Sequence, residues 1–136
     1  PNSKNASDLK QDLFNFCIHT ADLGHNAQDF KVSLTWVELL TNEFWFQGDR
    51  EACENMPISF LCDRKTADLP DSQVGFIKMF LVPVYGTLIE VFPSLQSFYD
   101  KVNDNLNQWE RLKKEGKKNI FAQKEIADKE SNNDKK

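Results

Sequence analysis

The sequence predicts an all-α chain, on three observations. Apolar residues recur at three- and four-residue steps in four separate stretches, the spacing of one face of a helix. Period-2 alternation is scarce, and no Asn-Gly or Asp-Gly pair marks a hairpin. Gly24, Pro57, Pro70 and Pro93 fall between the stretches, where chain breakers belong.

The first helix is expected over residues 7–23, with Ser7 as its N-cap and Leu9, Leu13, Phe16 and Cys17 as its apolar stripe. Gly24 ends it through a left-handed backbone. The second runs over 30–53 on Leu34, Val37, Leu40, Phe44 and Trp45, with Gly48 weakening its polar last turns. Residues 55–70 form a connector bracketed by Pro57 and Pro70. The third helix starts at Asp71 or Ser72, with Ser72 as cap, and reaches Phe92. Pro83 lacks the amide that a helix interior needs, so a kink is expected near residue 80. Pro93 stops that helix. Ser94 then caps a fourth running to residue 114, with Leu95, Phe98, Val102, Leu106 and Trp109 on one stripe. Residues 115–136 are dominated by Lys, Glu, Asp and Asn and read as a charged, disordered tail. Eleven Phe and three Trp are many for four short helices to cover. Together with a first residue Pro1 in place of Met, this points to a piece of something larger.

Composition narrows the function. A chain of 136 residues is about one domain. Its net charge is −4 and its only Lys-rich stretch is the tail, which argues against a nucleic-acid partner. Three cysteines (Cys17, Cys53 and Cys62) without CxxC spacing exclude a disulfide scaffold and a cysteine zinc ribbon, and fit reduced thiols in the cytoplasm. Residues 74–92 approach the ~20 apolar residues of a membrane span. They contain Lys78, Pro83, Gly86 and Glu90, however, and read as a buried core helix, so no membrane span is expected.

Two constellations carry chemistry. His19, Asp22 and His25 recur at three-residue steps near the end of the first helix, a spacing that suits a divalent metal. On spacing alone the same residues suit a capped helix terminus with satisfied polar groups better than a metal site, and Gly24 interrupts the helix before His25. Gln73 and Phe76 stand three apart at the start of the third helix. An amide with both donor and acceptor suits a nucleobase edge, and a neighbouring ring can stack on it. Gly75 between them permits close backbone approach. No GxSxG, Walker A or dinucleotide fingerprint is present.

In order along the chain stand His19-Thr20-Ala21-Asp22-Leu23, Trp36 and Glu38, Asn42-Glu43-Phe44, and Gln47-Gly48-Asp49-Arg50-Glu51. Pro57-Ile58-Ser59, Cys62-Asp63-Arg64-Lys65, Ser72-Gln73-Val74-Gly75-Phe76-Ile77 and Pro83 follow. This ordered set resembles the C-terminal part of the class I cyclic nucleotide phosphodiesterase catalytic domain, over about residues 14–92 and more weakly to Trp109. The fold implied is the C-terminal helices of that multi-helix, HD-type domain, over residues 1–114.

The resemblance implies hydrolysis of 3′,5′-cyclic nucleotides, cAMP or cGMP, by two divalent metals, zinc and magnesium (or manganese). Such metals clamp the cyclic phosphate and activate a water. It makes Asp22 a metal ligand and His19 a supporting residue. Gln73 would bond the purine, Phe76 would clamp it from below, and Leu40 would cover its other face. Phe44, Leu61 and Ser72 would line or support the pocket. His25 stands where many members have Asn, which makes it a wall residue and not a ligand. Asn26 and Phe60 stand where Pro is common. The family's upstream HNxxH and HD motifs are absent from these 136 residues, which hold two His. The general-acid His and the other metal ligands are therefore expected from an upstream part of the same domain, and this stretch alone is expected to be inactive. A homodimer is compatible with the resemblance. The alternative is a non-enzymatic helical module, or a truncated pseudo-enzyme without the metal-binding histidines.

Overall fold

A computed structural model describes residues 5–118, 120 and 121, and all regular structure among them is helical. Helix α1 spans Ala6–Asp22, and a 3₁₀ turn, Gly24–Ala27, leads into α2 at Phe30–Cys53. After the connector come α3 (Leu69–Phe76), a π turn (Ile77–Leu81), α4 (Val82–Val91), a 3₁₀ turn (Pro93–Leu95) and α5 (Gln96–Lys114).

Helix boundaries follow cap chemistry that the sequence pattern ranks poorly. Asn5 caps α1, its Oδ1 accepting from the Asp8 amide at 2.9 Å, so Ser7 lies inside the helix. Gly24 is helical in the 3₁₀ turn; among the described residues only Gly116 is a glycine with positive φ, at +70°. The third helix starts three residues before Ser72. Asp68 caps it by accepting from Asp71 at 3.1 Å, and Pro70 sits in the first turn, where its missing amide costs nothing. Ser72 instead donates back to the Asp68 carbonyl at 2.7 Å. Ser94 lies within the 3₁₀ turn, and α5 begins at Gln96 without a side-chain cap. Phe92, pushed out of the α region before Pro93, ends α4 as expected (φ −129°, ψ 79°).

Pro83 acts where expected, by a wide turn. It cannot donate to the Met79 carbonyl, and the backbone opens into the π turn over Ile77–Leu81, with the Val82 amide reaching the Ile77 carbonyl. The helix still runs on from Leu69 to Val91, long and apolar enough to cross a membrane by length and composition. As a core helix it is buried on one face only: Val74, Ile77, Leu81, Tyr85 and Leu88 are buried, while Met79 and Phe80 are exposed.

That buried stripe packs against α5, where Val102 and Trp109 are fully buried and Leu106 is partly so. Phe98, expected on the same stripe, is exposed, and Asn105 takes the core position. The Asn105 amide donates to the carbonyls of Asn26 (2.7 Å) and Gln28 (2.9 Å), tying the first 3₁₀ turn to α5. Phe30 meets Trp109 edge-on at 5.4 Å. Tyr85 reaches back to the Thr20 carbonyl at 3.3 Å, fixing the end of α1.

On α2 the buried line is Ser33, Val37, Thr41, Trp45 and Gly48. It keeps Val37 and Trp45 of the expected stripe, with Leu34 and Phe44 half-buried and Leu40 exposed. At Gly48 on this line the backbone of another segment comes close. A Cβ on Gly48 would stand 2.0 Å from the Cys62 carbonyl oxygen, so glycine lets the helix continue under the connector. On α1, Leu9 and Leu13 are exposed, and only Phe16 and Cys17 of the expected stripe are partly covered.

The core also reaches past the expected tail boundary. Gly116 turns the chain after α5, the Leu69 amide donates to the Lys118 carbonyl at 3.0 Å, and Phe121 is buried. The rest of the expected tail, residues 122–136, lies outside the described residues.

Two outcomes follow from this packing. Gly48→Ala should destabilise the intact protein by about 1–3 kcal/mol in denaturant titration, because backbone on both sides must shift. All three thiols are free. Burial, with the nearby charge of Glu51, pushes the Cys62 thiol up, while Cys53 is exposed. Alkylation of the native protein should therefore label Cys53 well before Cys62, and denaturant should remove the difference.

Candidate functional site

Helix α3 sets the direction of Gln73 and Phe76, which occupy successive turns and are both partly buried. Its start is held three ways: by the Asp68 cap, by the Lys113–Asp71 ion pair, and by the bond from Leu69 to Lys118. Gln73 lines a narrow cleft of about 40 Å³ with Leu40, Phe44 and Leu61. Phe76 lines a larger cavity of about 880 Å³ with Phe60, Met79 and Phe80. Leu61, Ala67 and Ser72 belong to both linings and form the wall between them. The cleft has room for solvent only, whereas the cavity on the Phe76 side has ring-sized space. A Cβ on Gly75 would meet nothing within 4 Å, so the backbone there opens to the cavity.

The connector brings Leu61 to this wall through bonds to α2. Glu51 accepts from the Ser59 amide at 2.7 Å, from the Ser59 hydroxyl at 2.7 Å and from Gln47 Nε2 at 2.8 Å. These bonds, the Ser59 amide first, hold its carboxyl below the usual range. Asp49 takes both Nε (3.1 Å) and Nη2 (2.5 Å) of Arg64, a two-point fork. The same guanidinium lies 5.6 Å over the Trp45 ring. Asp63 closes its own turn on the Lys65 amide and the Thr66 hydroxyl. Leu61 itself has φ +66°, a left-handed conformation costing roughly 1–2 kcal/mol outside glycine.

Asp22 and His25 stand apart from the two cavities. Asp22 is exposed in the last turn of α1, and His25, in the following 3₁₀ turn, lies 6.2 Å from the Trp36 ring. His25 Nε2 accepts from the Asn26 amide at 2.8 Å, which suits a neutral imidazole. His19 is exposed. No three His, Cys, Asp or Glu side chains among the described residues come together as a metal site, so the His19–Asp22–His25 triad is not formed. The described residues do not hold a metal unaided: Asp22 offers one open carboxylate, a single ligand at most.

The structure brings Gln73, Leu40, Phe44 and Leu61 together in one cleft and places Phe76, which the resemblance puts in the same pocket, in the neighbouring cavity across the Leu61, Ala67 and Ser72 border. The sequence pattern misses the Glu51–Ser59 and Asp49–Arg64 ties. Their partners are eight and fifteen residues apart, beyond helical spacing. The only local signal is two carboxylates beside a glycine that needs a close neighbour.

The helical fold agrees with known proteins. A solved structure of LmjPDEB1 in complex with IBMX superposes with a TM-score of 0.66 at 27% identity, covering 71% of this chain and 30% of that one. The Drosophila melanogaster 3′,5′-cyclic-AMP phosphodiesterase isoform F is 36% identical over 109 residues, 79% of this chain and 16% of its own length. Isoforms N/G show the same identity over 11% of their length. The 3′,5′-cyclic nucleotide phosphodiesterase family matches residues 1–102, three-quarters of the chain. The chain therefore has the fold of the phosphodiesterase catalytic domain. It belongs to the 3′,5′-cyclic nucleotide phosphodiesterase family, and spans about a sixth or less of the curated relatives it matches.

Burial pushes the His25 imidazole below its ordinary 6.5, with the Asp22 charge pulling the other way. The folded chain thus binds this proton less readily than the unfolded chain. Its stability is full above pH 6.5 and falls as the pH drops from there towards the lower folded value. Melting the intact protein at about pH 7.5 and about pH 5.5 should show this loss, and His25→Gln should reduce it.

Proposed function

We propose that this chain provides the base-recognition part of an enzyme hydrolysing 3′,5′-cyclic nucleotides, with cAMP as the first substrate to test. The carrying observation is the shared Leu61 wall, which sets the Gln73 cleft directly beside the ring-sized cavity of Phe76. A purine entering on the cavity side would stack on Phe76 and turn its edge across the Leu61 border towards the Gln73 amide, with Leu40 and Phe44 beyond it. The match to cyclic-AMP phosphodiesterases supports this reading.

In this arrangement the chain orients substrate and does not itself break the bond. A base held by stacking and two amide bonds fixes the cyclic phosphate relative to groups outside the chain, which lowers the entropic part of the barrier. Asp22 would add one carboxylate to a divalent metal held mainly by residues from elsewhere in the domain. That metal, zinc or magnesium or manganese, would supply Lewis-acid chemistry at the phosphate.

The test is kinetic, in the complete catalytic domain. Gln73→Ala should raise KM for cAMP about tenfold, equivalent to about 1.4 kcal/mol of lost base recognition, with kcat little changed. Asp22→Ala should abolish turnover and lower bound metal measured by mass spectrometry. Normal turnover in the Asp22 variant, or an unchanged KM in the Gln73 variant, contradicts the assignment and favours a non-enzymatic helical module.

A further inference from the structure

We propose that Glu51 is a positioning residue for base recognition: through Ser59 it holds Leu61 as the wall between the Gln73 cleft and the Phe76 cavity. This inference rests on the base-pocket reading above and adds a residue that touches neither cavity.

Leu61 is the first observation. Ser59 to Cys62 is a tight turn closed by the Cys62 amide on the Ser59 carbonyl at 3.0 Å, with Leu61 as its third residue at φ +66°. A turn of that kind asks for glycine at this place, and a leucine there persists only where its surroundings over-determine the backbone. Leu61 is also one of three residues, with Ala67 and Ser72, common to both linings, so the strained residue stands at the border of the two spaces.

The second observation is how the turn is pinned. On its entry side, one carboxylate grips both the amide and the hydroxyl of Ser59 across eight residues. On its exit side, the Cys62 carbonyl lies against Gly48, and Arg64 is forked by Asp49. All of these anchors lie in the last turns of α2, so the turn is fastened to one rigid element. The exit anchors combine backbone contact with an ion pair. On the entry side the Met56 amide also bonds the Glu51 carbonyl at 2.8 Å, but Ser59 itself is held by a single side chain at the surface through two short charge-assisted bonds.

Releasing Ser59 frees the entry side, and Leu61 then relaxes towards an ordinary backbone conformation. The wall moves, and the base loses its fixed edge against Gln73. The bond-breaking groups are elsewhere, so the loss falls on binding and only for substrates that carry a base.

The test compares cAMP with ribose 3′,5′-cyclic phosphate lacking the base, in the complete catalytic domain. Glu51→Ala should raise KM for cAMP about tenfold with kcat within about twofold, and leave kcat/KM for the base-free compound unchanged. Glu51→Gln, which keeps one acceptor oxygen, should recover part of the loss. Ser59→Ala, an exposed position that loses one bond of two, should give a smaller rise in KM and carries the test if Glu51→Ala does not fold. Equal losses on both substrates, a fall in kcat at constant KM, or no change would overturn the proposal. Gln73→Ala in the same comparison separates the two readings. If it discriminates the substrates and Glu51→Ala does not, only the role of Glu51 falls. If neither does, the base pocket itself is wrong.

Discussion

The contact between the helix from Leu69 to Val91 and α5 sets what this chain can position. Val74, Ile77, Leu81, Tyr85 and Leu88 present one buried line to Val102 and Trp109, and burial of such side chains is worth roughly 1.5–3 kcal/mol each. With that face committed to the core, Gln73 and Phe76 are left partly buried on the adjoining surface, turned towards the connector. The Pro83-driven π turn lies just beyond them, and the buried line continues through it without loss of helix.

Around this contact, polar side chains do the work of fixing ends. Asn105 ties the first 3₁₀ turn to α5, Asp68 fixes the start of α3 together with the backbone carbonyl of Lys118, and Glu51 and Asp49 fasten the connector to α2. All but Asp49, which forks the Arg64 guanidinium, satisfy backbone amides or carbonyls that a helix end or turn leaves open. Surface ion pairs such as Arg50–Glu54 add little by comparison, being exposed on both partners. The large apolar residues left open, Phe14, Ile18, Trp36 and Phe46 among them, lie on α1 and α2. These helices make fewer contacts with the buried line. The fold matched in LmjPDEB1 is more than three times longer than the part this chain covers.

Helix identity was legible because apolar spacing is a local property. The limits of α2 agree with expectation to the residue, and the disturbance caused by Pro83 falls where the missing amide demands it. Caps were harder to read. Asn5, Ser7, Asp68 and Ser72 are all capable acceptors, and the choice among them depends on where the preceding chain approaches. Gly48 shows the same limit: its residue type signals a weak helix, but its neighbour is a carbonyl fourteen positions on. Phe121 is apolar within a charged run, and only the fold shows that the core has space for it.

By itself the sequence determined the helical class and the family, since these lie in local spacing and in ordered motifs. Only the tertiary structure decided that Leu61 divides the Gln73 cleft from the Phe76 cavity, and that Asp22 stands apart from both. It also decided that one carboxylate at the end of α2 reaches the turn that carries the wall. The reason is physical: hydrophobic periodicity encodes which face of a helix is buried, but not which distant backbone atom a polar side chain will meet.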